Sequence, residues 1–391
     1  MNRLVWMALL LPILMSCTER PDPDAAADPP ARRTEHAPLG EGDWPSFRGN
    51  PQLTGAAVSA LPEEPELLWT YEAGSPVSAT AAVVGGRVYV GTHAGTVICI
   101  DLLDGTRKWQ AEVGDVISAA PLVHDGTVYV GDESGWLRAL DAETGEERWS
   151  YKANAMIMSA ATPAGDAILF GSYDFILYCL DAETGEDRWT LRTGNYVHAS
   201  PCVAGDRVVV AGCDGKVRMI DLETGEQTAA LDTRNNFAGS AAYKDGHVYV
   251  ADMGGTRRAV RTADMTVAWE KADDVGSYYA SAAVQGDRVV FASQAGTLLC
   301  ADRATGEVLW TAKMDAGMDS SPVIVGDRVF VGTDGGTLAG VRLSDGSAVW
   351  SFSAGAAITA SPAVGRGRLV VGTDDGAVYC FGPGQQEAPG R

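Results

Sequence analysis

Histidine, cysteine, serine and carboxylate side chains do chemistry when their spacing lets them converge, and in this chain most of them do not. The five histidines, His36, His93, His124, His198 and His247, show no metal-ligand spacing. His93, His124 and His247 fall in or beside turns, as ordinary surface residues do. "GGT" and "DGT" recur as hairpin turns rather than as a phosphate loop, and no serine nucleophile elbow occurs. No catalytic group and no metal site are therefore expected. The one concentration of recognition chemistry lies in four segments, "RTGNYVH" (192–198), "DTRNNF" (232–237), "DDVGSYY" (273–279) and "MDAGMD" (314–319). They contain Asn195, Tyr196, His198, Arg234, Asn235, Asn236, Phe237, Asp273, Tyr278, Tyr279 and Asp319. Aromatics supply rigid contact area and amides supply adaptable hydrogen bonds, a combination suited to a peptide or a small ligand. Freely drifting polar loops would carry the same residues.

What must position these segments is a repeat. "DAETGEERW" (141–149) returns as "DAETGEDRW" (181–189), with weaker copies beginning at Asp101, Asp221, Asp302 and Arg342. Trp69, Trp109, Trp149, Trp189, Trp269, Trp310 and Trp350 fall at steps of 40, 40, 40, 80, 41 and 40, with Ala229 standing where a tryptophan is due. Within one period short Val/Tyr/Leu-rich runs alternate with "HDG", "ESG" and "ETG" turns, giving strands at roughly 118–123, 127–131, 136–141 and 146–152. In each D-x-x-T-G turn the Asp carboxylate can accept backbone N–H groups, and the Gly can take positive φ. Four antiparallel strands at this period predict an all-β fold, an eight-bladed β-propeller. The inner strands start near Ser78, Ser118, Met158, His198, Ala238, Tyr279, Asp319 and Thr359. The eighth unit ends without its outer strand, and "PELLWTY" (65–71) is an outer strand without a unit. The ring is therefore expected to close by pairing the N- and C-terminal strands, with the segments above on the connections around one channel mouth.

The D-x-x-T-G-x-x-x-W signature on a 40-residue unit resembles the quinoprotein (PQQ) repeat, and "DWPSFRGNPQLTG" (43–55) resembles the lead-in such chains carry. The resemblance covers nearly everything from Asp43 to Phe381. It implies the propeller, and it admits two functions. One is a non-enzymatic, protein-binding scaffold like the BamB-type lipoproteins of outer-membrane protein assembly, with envelope proteins as partners and no cofactor. The other is a periplasmic PQQ-dependent oxidoreductase or a quinone-binding sensor, for which Asp273, Asp319, Asn195 and Asn236 are the natural calcium or base candidates. No adjacent Cys-Cys occurs, although quinoprotein alcohol dehydrogenases characteristically carry one beside the cofactor, so the scaffold is the favoured expectation. A binding module for extracellular ligands is a third reading.

"MNRLVWMALLLPILMSC" has the shape of a secretory leader over 1–16, and "LMSC" resembles a bacterial lipobox. Cys17 is thus the expected lipidation site, and Thr18 after it favours the periplasmic face of the outer membrane; cleavage without lipidation is the alternative. Residues 17–42 are expected to form a Pro/Ala/Asp-rich tether, 43–382 the propeller and 383–391 a disordered tail. Cys99, Cys179, Cys300 and Cys380 share one third-strand slot with Ala139, Met219, Ala259 and Gly340, which reads as tight packing. Cys202 and Cys213 alone could pair. A net charge of −21 opposes nucleic acid and also serves plain solubility. "RRAVR" (257–261) reads as a solvated strand. A monomeric propeller is expected.

Overall fold

The D-x-x-T-G turn and the tryptophan form one device in the computed structural model, which describes residues 42–272 and 274–384. At Asp141 the carboxylate Oδ1 accepts the backbone N–H groups of Glu143 and Thr144 at 2.8 and 2.9 Å. Gly145 follows at φ 77°, and a Cβ on it would come within 2.6 Å of the Trp109 ring of the preceding blade. The glycine thus supplies both a left-handed backbone and the room for an indole to lie on the turn. The same indole donates its Nε1–H to Ala142 O at 3.1 Å. Gly105, Gly185, Gly225, Gly306 and Gly346 meet Trp69, Trp149, Trp189, Trp269 and Trp310 in the same way. One blade's outer strand is thereby locked onto the next blade's turn. Trp69, Trp269 and Trp310 are buried, whereas Trp109, Trp149, Trp189 and Trp350 are half-buried.

These devices tie together eight antiparallel sheets in a ring. Blade one is Ala82–Val84, Arg87–Gly91, Thr96–Asp101 and Arg107–Glu112. Blade three is Thr162–Ala164, Ala167–Gly171, Ile176–Asp181 and Asp187–Arg192. The inner strand is shorter than expected, Leu122–His124 in blade two. The residues before it form no ladder; the Ile117 N–H donates instead to Thr92 O of the preceding blade at 3.1 Å. Second and third strands are buried nearly throughout and pack blade on blade, while outer strands alternate exposed and half-buried residues. A one-residue bulge precedes each outer-strand tryptophan, as between Glu147 and Trp149.

The ring closes as the orphan strand predicted. Glu66–Glu72 pairs antiparallel with Ala377–Gly382, with Trp69 opposite Cys380, and Trp350 Nε1 donates to Pro65 O at 3.1 Å. The described residues all fall in one compact unit, Ala37–Arg391, and no helix among them is long and apolar enough to cross a membrane. The expected leader (1–16), Cys17, nearly all of the tether and most of the tail lie outside the described residues.

The lead-in has a structural task of its own. It runs as a strap along the inner edges of the blades, where carbonyls of Trp44, Pro45, Pro51, Gln52, Thr54 and Gly55 accept backbone N–H groups of Val83, Val123, Val203, Tyr243, Val284 and Ile324 at 2.7 to 2.8 Å. Ala56–Ala57 ends it as a fifth, parallel strand on blade seven. The strap covers edge donors that would otherwise stay unpaired.

Two expectations are corrected here. "RRAVR" is not a solvated strand: Arg257 and Arg258 are buried. Arg258 pairs with Asp252 and, at 2.6 Å, with Glu270, and the Arg257 guanidinium lies 5.3 Å from the Phe291 ring centroid. Cys202 and Cys213 do not pair: both are free, and the Cys202 thiol meets Gln52 O at 3.3 Å.

Candidate functional site

The eight residues that open the inner segments, Ser78, Ser118, Met158, His198, Ala238, Tyr279, Asp319 and Thr359, line one cavity of about 200 Å³, shared with Phe47 of the strap. Period 40 puts the same position of every blade on the axis, so a column of the repeat becomes a ring in space. A deeper layer stiffens the wall. The backbone N–H groups of Ala160, Ser200, Ser240, Ser281 and Ser321 donate to the hydroxyls of Ser200, Ser240, Ser281, Ser321 and Ser361 at 2.8 to 3.1 Å. The girdle has no serine where Thr80, Ala120 and Ala160 stand.

At the rim, a channel residue meets the turn between the second and third strands. Ser78 bonds His93 at 2.7 Å, Ser118 donates to Glu133 at 2.6 Å and Thr359 donates to Asp374 at 2.6 Å. His198 Nδ1 lies 2.9 Å from the Tyr173 hydroxyl of the preceding blade, and the Gln294 amide donates to Asp319. Burial holds the His198 imidazole below its ordinary range. Burial and the neighbouring carboxylates Asp334 and Asp374 push the Asp319 carboxyl above its own, against the opposing Gln294 bond. His93 is accordingly a half-buried rim residue rather than an ordinary surface one.

The rim is chemically divided. Blades three and four bring together Tyr173, Phe175, Tyr196 and His198: Tyr196 stacks on Tyr173 with centroids 4.4 Å apart at 21°, and Phe175 lies 5.2 Å from Tyr196. Tyr196 remains 44 % exposed, and Tyr279 of blade six 40 %. Blades seven and eight supply Asp319, Asp334 and Asp374 instead. Arg234 and Asn236 are exposed; Arg234 adopts φ 67°, held by its N–H bond to Asp232 at 3.0 Å. Asn195 and Asn235 are spent on the loops, donating to Cys213 O at 3.2 Å and Asp252 at 3.3 Å.

Phe237 and Tyr278 do not reach the mouth, which corrects their assignment to the recognition face. Both are fully buried. They occupy the repeat column of Val77, Ile117, Ile157, Val197, Met318 and Ile358, apolar residues with relative exposure of 0 to 1 %. The N–H of that column clips to the neighbouring blade, as from Ile157 to Asp132 O at 3.0 Å. Tyr278 packs edge-on against Phe291, centroids 5.9 Å apart. An aromatic residue at this position is a larger plug between blades. Asp273 lies outside the described residues. Tyr173, Phe175, Glu133, Gln294, Asp334 and Asp374 were missed, although they stand near a constant 15 residues beyond the channel column, which was the available signal. Among the described residues no three His, Cys, Asp or Glu side chains are grouped as metal ligands.

Eight four-stranded blades, a tryptophan lock on each D-x-x-T-G turn and a strapped axial channel define a quinoprotein-repeat propeller. The chain belongs to the family described as outer membrane protein assembly factor BamB, whose profile matches residues 55–174, 160–272 and 269–385. No curated protein sequence matches it. Among solved structures it is similar to BamB from Moraxella catarrhalis, with 21% identity, a TM-score of 0.72, and coverage of 83% of this chain and 99% of that one. It is similar also to quinohemoprotein alcohol dehydrogenase from Comamonas testosteroni, at 17% identity and a TM-score of 0.76, covering 90% and 83%. The computationally designed Ika8 protein shares the fold as well, at 18% identity and a TM-score of 0.74, covering 82% and 100%. At these identities the likeness is one of fold.

Proposed function

We propose that this protein is a non-enzymatic scaffold of the cell envelope that binds other proteins in outer-membrane protein assembly, tethered through a lipid on Cys17 to the periplasmic face of the outer membrane. Its working surface is the aromatic half of the rim. The observation that carries this reading is the stack of Tyr196 on Tyr173 beside Phe175, left open to solvent, with Tyr279 of blade six also exposed. Large aromatics cost little conformational entropy to immobilise and commonly anchor protein interfaces. The family description supports the same role.

The test is affinity purification of the tagged full-length protein from mild-detergent membranes, with and without Tyr196→Ala plus Tyr279→Ala. Neither residue holds the core, so the double variant should melt like the parent and lose its co-purifying envelope proteins. The reading fails if that variant keeps its partners at unchanged affinity. It fails equally if the purified protein, supplied with PQQ and Ca²⁺, oxidises alcohols with a dye acceptor.

A further inference from the structure

Far from the rim, a second cavity of about 330 Å³ opens between blades three and four. Two other junctions of the ring show what can fill such a space. In blade one the corresponding space is filled by Arg87, whose guanidinium donates to Ala142 O at 3.1 Å and Glu143 O at 3.3 Å and pairs with the Glu143 carboxylate, all on the turn of blade two. The Tyr89 hydroxyl donates to the same Ala142 carbonyl at 3.2 Å. In blade seven Arg328 does likewise, reaching Leu61 O, Pro62 O and Glu63 O at 2.9, 2.8 and 2.7 Å on the segment that replaces a turn.

Blade three lacks both of the blade-one groups. Ala167 stands where blade one has Arg87, and Leu169 stands where it has Tyr89. Neither carries a donor, yet the acceptors opposite are retained. The Leu222 carbonyl, counterpart of Ala142, receives Trp189 Nε1 at 2.9 Å. Glu223, counterpart of Glu143, lines the same cavity. The mouth of this cavity adds Asp206 and Asp166, each with its side chain 83% exposed. Arg188 also lines the cavity, but it is committed to Asp166 and Asp181 at 2.7 Å each. The slot therefore has the carbonyl and the carboxylate that Arg87 uses in blade one, beside the Trp189 indole, and no arginine from blade three reaches them. Planar guanidinium suits such a set better than ammonium, because it donates in two directions at once and lies against aromatic rings.

We propose that the cavity walled by Ala167, Trp189, Leu222 and Glu223 receives the guanidinium of an arginine side chain presented by a partner protein. The partner then completes between blades three and four the contact that Arg87 makes between blades one and two. This site is separate from the aromatic rim, and its test does not depend on the reading of that surface.

The experiment is an NMR titration of the full chain with N-acetyl-L-arginine amide, following the Trp189 indole N–H and the Leu222 and Glu223 amides. Saturable shifts of these signals are expected, and the neutral isostere N-acetyl-L-citrulline amide should shift them severalfold less at equal concentration. Ala167→Arg, which rebuilds the arrangement of blade one, should raise Tm and abolish the response. Should that variant not fold, Glu223→Gln carries the test, since it alters only an exposed turn side chain and should weaken the arginine response severalfold at unchanged Tm. The proposal is overturned if arginine amide gives no saturable shift, if citrulline amide does as well, or if folded Ala167→Arg or Glu223→Gln responds like the parent.

Discussion

Met265 stands where the other turns carry glycine, and it packs in the same buried cluster as Ala229, which stands where the other outer strands carry tryptophan. The backbone of Met265 keeps the left-handed φ of 56° that the glycines adopt. One blade junction has thus exchanged a large residue on the strand and none on the turn for the reverse. The strain of a side chain at positive φ is offset by filling the volume an indole leaves. Ala229→Trp alone should clash with Met265, and Met265→Gly alone should leave a cavity, each lowering stability by roughly 2–4 kcal/mol. The double variant should recover most of the loss. A denaturation cycle showing additive losses would mean that the two residues do not compensate.

The tryptophan locks should differ in strength with burial. Trp69→Ala removes a buried indole and its bond to Leu102 O at 3.0 Å and should cost about 3–5 kcal/mol. Trp149 is half-buried, so Trp149→Ala should cost less, about 2–3 kcal/mol. Equal losses in urea denaturation would separate tryptophan burial from stability.

Phe237 and Tyr279 should part company. Phe237→Ala empties a core position and should destabilise by about 3–5 kcal/mol. Tyr279→Ala touches a residue facing the channel and should leave Tm within a degree or two while weakening partner capture. Thermal melts beside pull-downs read both.

Closure can be tested by truncation. Removing residues 1–72 deletes the strap and the outer strand of blade eight, exposing Ala377–Gly382 as an edge. Aggregation or a sharply lower Tm is expected, whereas deleting 18–41 should change neither. If both forms melt alike, terminal pairing does not hold the ring.

Two rim groups should give opposite pH signatures. His198 has a folded pKa below its ordinary 6.5, so the unfolded chain binds its proton first and stability falls as pH drops through about 6.5. His198→Asn should flatten that fall. Asp319 has a folded pKa above 3.8, so its contribution is present below that pH and lost as pH rises through the folded value. Asp319→Asn keeps a partner for Gln294 and should therefore raise Tm at neutral pH, with the difference vanishing in acid. A neutral-pH Tm that falls would show the carboxylate to be stabilising.

Local chemistry repeated eight times was legible in the chain itself. The period of 40, the Asp-capped turn, the absent Trp at Ala229 and the orphan strand before Tyr71 each state a local rule. A rule repeated around a ring determines the fold, because every blade must bury its faces on a neighbour of the same kind. The terminal closure followed from counting strands. Which side chains stand open, and which opposite groups they meet, was decided only by tertiary structure. Phe237 and Tyr279 look alike in a polar loop, yet a shift of one position along an extended segment separates the interblade core from the channel. Tyr173 and Tyr196 are 23 residues apart on different blades, and only the packing of blade three on blade four stacks them. The slot at Ala167 belongs to the same kind of fact: apolar residues at 167 and 169 signal nothing alone. They become a cavity because Leu222 and Glu223, 55 and 56 residues beyond Ala167, still offer the acceptors an arginine uses elsewhere in the ring.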